Sequence, residues 1–89
     1  MVAFKDINPK APIHLLIIPK KHVESIASLT EEDRMLLSDI IYAAKDLAAS
    51  LGLRGYRLSY NVGREGGQAV DHLHLHLLGG WINGVHGEI

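Results

Sequence analysis

Residues 72–78 run His72-Leu73-His74-Leu75-His76-Leu77-Leu78, and this alternation constrains the fold more than any other part of the chain. Side chains along a strand point to opposite faces in turn, so the histidines share one face and Leu73, Leu75 and Leu77 the other. Neighbouring histidines then lie about 7 Å apart at Cα, and the outer two about 13 Å. The leucine face has to be covered. The histidine face is open to whatever occupies the concave side of the sheet.

The cover for the leucines is legible upstream. Leu36, Leu37, Ile40, Ile41, Ala44, Leu47, Ala48 and Leu51 recur at helical spacing, with Arg34, Ser38, Asp39, Lys45 and Asp46 on the opposite face. This predicts an amphipathic helix of about 20 residues. Thr30 is its expected N-cap, Glu31, Glu32 and Asp33 suit the dipole in its first turn, and Gly52 ends it.

Three further strands are expected. Val2 to Lys5 is short, and Ile13 to Ile18 is apolar on both faces and ends at Pro19, which cannot donate to a ladder. Tyr56 to Val62 alternates like a half-buried strand, and the loop 63–68 is expected to join it in an antiparallel hairpin to a last strand from Ala69 to Leu78. The expected fold is therefore α+β: an antiparallel, meander-like sheet with one long amphipathic helix packed on one face. It fills a single domain over residues 1–80, with an unpatterned tail at 81–89.

Composition narrows the function. The chain has 89 residues and no cysteine, which excludes disulfides and thiolate zinc sites. Nine Lys and Arg stand against ten Asp and Glu, so no nucleic-acid footprint is visible. The longest apolar run is far too short to span a bilayer, and no signal segment opens the chain. A domain this small buries only about 60–65% of its unfolded surface, so a ligand, a metal or a second copy would reinforce it.

Three readings of the histidine face compete. Plain surface histidines are the simplest, but strict alternation opposite leucines argues against them. A His-x-His pair can give two imidazoles to zinc, with His14 as a third ligand, although the span prevents all three of His72, His74 and His76 from sharing one ion. Alternatively one imidazole acts as a nucleophile while its neighbours set its tautomer. Neutral imidazole attacks phosphorus well, and Gly66-Gly67 just before the strand would let backbone N–H groups approach phosphate oxygens. His14 taken alone reads as a core histidine, and Lys20-Lys21-His22 as a solvated strand exit.

Residues 72–78 also fit the His-φ-His-φ-His-φ-φ signature of the histidine triad family. Asp6-Ile7-Asn8-Pro9-Lys10-Ala11-Pro12-Ile13-His14 and Ile18-Pro19-Lys20-Lys21-His22 resemble the nucleotide-binding, or Hint, branch of that family. So do Gly55-Tyr56-Arg57, Asn61, Gly66-Gly67-Gln68 and Gly79-Gly80, and the likeness runs over about residues 3–80 without a break in register.

The resemblance implies a cytoplasmic, homodimeric purine nucleoside phosphoramidase that cleaves the P–N bond of adenosine or guanosine 5′-phosphoramidates. It implies His74 as the nucleophile, the His72 carbonyl holding its Nδ1–H, His76 on phosphate oxygens, and His14 behind them. His22 and His86 are left at the surface. Asp6 would take the ribose hydroxyls, Phe4 and Ile7 the base, and Asn61, Gly67, Gln68 and Ala69 the phosphate. No metal or cofactor is required. Family members carry several dozen residues ahead of the matched segment, so one wall of the base pocket is expected to be missing. Ala69 stands where many have serine, and Trp81 where arginine is common. A dinucleoside polyphosphate hydrolase of the sister branch, or a nucleotide- or zinc-binding module without turnover, are the alternatives.

Overall fold

The computed structural model describes residues 1–82. His86 and most of the expected tail lie outside the described residues. The strands are β1 (Val2–Lys5), β2 (Ile13–Ile18), β3 (Tyr56–Ser59) and β4 (Leu75–Gly79), and the helix is α1 (Arg34–Ser50). All pairings are antiparallel, in the order β1-β2-β4-β3. The α+β class is as expected, but the meander is interrupted: β4 inserts between β2 and β3. The histidine strand is therefore paired on both edges.

The leucine face works as the alternation requires. Leu73, Leu75 and Leu77 are each at most 2% exposed and cluster with Ile17 of β2 and with Ile40, Ala44 and Ala48 of α1. Full burial of one such leucine contributes about 1.5–3 kcal/mol. Ala44 and Ala48, one turn apart, present small side chains where the helix meets the sheet.

The helix is shorter than expected at its start, because Glu31–Asp33 form a 3-10 turn ahead of it. Thr30 caps that turn rather than the helix itself, in a reciprocal box with Asp33, whose Oδ2 accepts from the Thr30 N–H at 3.0 Å and from the Thr30 hydroxyl at 3.2 Å. Lys21 Nζ lies 2.6 Å from Asp33 Oδ1 and, with the Thr30 bonds, holds that carboxyl below its ordinary pKa. At the other end Gly52 adopts φ 71°, as expected of the residue that ends the helix. Leu53 N–H then reaches Ala48 O and Gly52 N–H reaches Ala49 O, closing the helix in a Schellman turn.

Two strand boundaries need correction. β3 stops at Ser59 instead of Val62, and β4 begins at Leu75 instead of Ala69. The link between them is residues 60–74, not a tight glycine loop. These residues leave the ladder because their polar groups have other partners. Leu73 N–H bonds Val23 O at 2.6 Å, and Gln68 Nε2 bonds Glu24 O at 2.6 Å and Val70 O at 2.9 Å. The alternation survives outside the ladder, since Leu73 is buried and His72 and His74 are not.

Among the described residues no helix is long and apolar enough to cross a membrane.

Candidate active site

Antiparallel register lines up the face of the sheet away from α1. One row runs Phe4–Leu16–His76–Ser59 and the next His14–Leu78–Arg57. Above them lies a cleft of about 720 Å3, edged by Asp6, Ile7, Asn61, Gly67, Ala69, Val70 and His74. Of the residues expected at a nucleotide site, Phe4, Asp6, Ile7, His14, Asn61, Gly67, Ala69, His74 and His76 all line this one cleft.

Two expected residues do not. The Gln68 side chain is buried and fully engaged: its Oε1 accepts from Gly63 N–H at 2.9 Å while Nε2 bonds Glu24 O and Val70 O. It braces the loop instead of facing a ligand. The His72 ring also turns elsewhere, with Nε2 3.1 Å from Pro19 O and Nδ1 3.4 Å from His22 Nδ1. His22, expected at the surface, is exposed, and it packs edge-on against His72 at 5.1 Å between ring centroids.

Hydrogen-bond partners assign the ring protons. A carbonyl only accepts, so His74 Nδ1, 2.7 Å from His72 O, must donate, which leaves Nε2 with its lone pair. Lys10 N–H donates to His14 Nδ1 at 3.0 Å, so neutral His14 carries its proton on Nε2. That proton faces His76 Nδ1 at 2.9 Å, with Asp6 Oδ2 at 3.5 Å. His76 therefore accepts on Nδ1 and bears its own proton on Nε2. Burial holds the His76 pKa below the ordinary imidazole value, and the neighbouring His74 and His14 push it the same way against a smaller pull from Asp6. His76 is thus held neutral in the middle of the cleft floor, with the His74 ring 5.0 Å from its own.

Asp6, His14 and His76 bring three potential metal-ligating atoms within 4.8 Å of one another. The tautomers argue against a metal there. His14 Nε2 can bind an ion only as an unprotonated nitrogen, and neutral His14 would then need a proton on Nδ1, where the Lys10 N–H already points.

Asn61 secures the loop that faces the cleft. Its Nδ2 donates to Gly66 O at 2.9 Å, and Gly67 turns beneath it with φ 88°. A Cβ on Gly67 would be strained by that φ and would stand 3.4 Å from Asn61 Nδ2.

Several cleft residues were not singled out from sequence. Arg57 and Ser59 had a readable signal, because the alternation expected from Tyr56 onward puts both on one face of that strand. Lys10, which fixes the His14 tautomer through its backbone, had none.

The model of the HIT domain family matches residues 1–81. An uncharacterised HIT-like protein of Synechocystis sp. is 51% identical over 80 residues, spanning 89% of this chain and 70% of that protein. The crystal structure of a HIT family hydrolase from Legionella pneumophila superimposes with a TM-score of 0.86 at 56% identity, covering 89% of this chain and 72% of that one. A histidine triad nucleotide-binding protein from Candida albicans gives a TM-score of 0.73 at 35% identity, over 98% of this chain and 68% of its own.

Proposed function

This chain belongs to the HIT domain family, and from that premise we propose that it hydrolyses the P–N bond of purine nucleoside 5′-phosphoramidates. The observation that carries the proposal is the bond from His74 Nδ1–H to His72 O, which leaves the Nε2 lone pair of a cleft-lining imidazole free for attack. Similarity to a HIT family hydrolase and to a histidine triad nucleotide-binding protein supports a hydrolase acting on a nucleotide.

In the proposed reaction His74 Nε2 attacks the α-phosphorus. The Nε2–P bond forms as the P–N bond breaks, and the amine leaves with a proton from cleft water. The hydroxide left by that water then attacks the phosphorus, breaking the Nε2–P bond to release the nucleoside monophosphate and restore neutral His74. His76 Nε2–H donates to a phosphate oxygen, and the chain from Lys10 through His14 keeps that proton on Nε2. Phe4 and Ile7, both exposed at the cleft edge, offer an apolar surface to a purine ring. Asp6 accepts from the ribose hydroxyls, its Oδ1 already taking the Asn8 N–H at 2.8 Å. A homodimer in the cytoplasm completes the reading.

The test is release of AMP from an adenosine 5′-phosphoramidate. The wild-type chain is expected to turn over and His74→Ala to lose at least about 1,000-fold in kcat, as expected when a nucleophile is removed. AMP binding without turnover would make the chain a binding module. Preferential cleavage of a dinucleoside polyphosphate would transfer it to the sister activity.

A further inference from the structure

His72 and His74 precede β4, so no ladder fixes them. The orientation of the His74 ring depends on where the His72 carbonyl sits. Two side chains hold the backbone just ahead of that carbonyl: Gln68, whose Nε2 bonds Val70 O at 2.9 Å, and Arg64. Arg64 Nη1 donates to Gln68 O and to Ala69 O, each at 2.8 Å, and its Nη2 donates to Asp71 Oδ2 at 2.9 Å. A planar guanidinium thus spans the segment from Gln68 to Asp71, ending one residue before His72.

Other braces act on the same stretch. The Gln68 amide bonds Glu24 O and Val70 O, and the Leu73 N–H, on the same peptide unit as the His72 carbonyl, bonds Val23 O. Between them the Gln68 and Ala69 carbonyls and the Asp71 carboxylate all converge on Arg64. Ala69 and Val70, inside that span, line the cleft.

We infer that Arg64 is a positioning residue, one that sets the nucleophile by clamping the segment leading into His72. This inference rests on the reading of His74 as the nucleophile. Arg64 does not line the cleft, and its hydrogen bonds among the described residues go to Gln68, Ala69 and Asp71, not to a histidine. Its effect runs through the carbonyls of Gln68 and Ala69 and through Asp71 to the His72 carbonyl, and from there to His74 Nδ1. The Arg64 and Asp71 side chains are 64% and 63% exposed, so their ion pair contributes little to global stability. Local geometry is what the clamp controls, and small displacements of a reacting group are costly to rate.

Two variants test it. Arg64→Gln removes the charge and the two-nitrogen fork, and Arg64→Lys keeps the charge but not the fork. Both are expected to lower kcat by about tenfold while KM stays within about twofold, because misplacing the nucleophile affects the chemical step more than binding. Imidazole ¹⁵N spectra are read alongside. The wild-type His74 ring should show a protonated Nδ1 and an unprotonated Nε2, and both variants should show averaging between tautomers. If Arg64→Gln fails to fold, Arg64→Lys carries the test. Unchanged kcat together with an unchanged His74 spectrum would overturn the inference, and so would a lowered melting temperature with neither of them moved. If the wild-type chain cleaves no phosphoramidate but the His74 spectrum still responds to Arg64, the proposed function fails and the positioning role stands.

Discussion

The two histidine pairs, His14–His76 and His22–His72, have the same separation, 5.1 Å between ring centroids, yet they are built for different work. In the inner pair the facing nitrogens are 2.9 Å apart, His14 is buried, and Lys10 N–H fixes the direction of every proton as far as the cleft. In the outer pair the nitrogens are 3.4 Å apart, His22 is exposed, and among the described residues a backbone carbonyl, Pro19 O, anchors the His72 ring alone. Ring proximity alone therefore says little about role. A third partner and burial separate a committed proton chain from a surface contact, because a neutral imidazole has two accessible tautomers until a partner selects one.

The sharpest way to break the comparison is to cut one ring from each pair. His76→Gln keeps a polar side chain but ends the proton chain, and kcat is expected to fall by about 100-fold or more, as for loss of a positioned acid–base group. Steady-state kinetics with an adenosine phosphoramidate reads this directly, and a loss below about fivefold would remove His76 from the mechanism.

Acid should also separate the pairs, with an effect on stability. The folded-state pKa of His76 lies below the ordinary 6.5. Between those two values the unfolded chain binds more protons than the folded one, so stability rises with pH. Above 6.5 both states are neutral and nothing is lost, and as pH falls through 6.5 and then through the folded value the penalty is incurred in full. Melting temperatures at pH 8, 6.5 and 5 should fall on the acid side, and His76→Gln should flatten the curve. Equal slopes for the variant and the wild type would contradict the assigned burial of that ring.

The smallest effect is expected at the outer pair. His22→Ala should change stability by less than about 0.5 kcal/mol and kcat by less than about twofold, since exposed substitutions away from the core rarely do more. Denaturation and kinetics on one preparation check both, and a tenfold loss of kcat would make the two pairs functionally alike.

The contrast between the pairs also marks what could be read from the sequence. Leu73, Leu75, Leu77 and the run from Leu36 to Leu51 declare their buried faces through local periodicity, which needs no tertiary knowledge. The same alternation brought His74 and His76 to the cleft. The start of β4 was not legible, because residues 68–74 leave the ladder for partners such as Glu24 O, Val23 O and Arg64 that only the folded chain brings near. His22 lies 50 residues from His72, and no pattern within either segment announces the other. Lys10 contributes a backbone N–H, which every residue but proline has, so its role in choosing the His14 tautomer is invisible in the sequence.

The most direct test of the account looks for the covalent intermediate itself. The chain is mixed with an adenosine 5′-phosphoramidate, quenched within milliseconds and analysed by intact and peptide mass spectrometry. An adenylyl adduct is expected on His74 and on no other histidine, absent from His74→Ala. An adduct on His72 or His76, or rapid turnover through which no adduct ever forms, would contradict it.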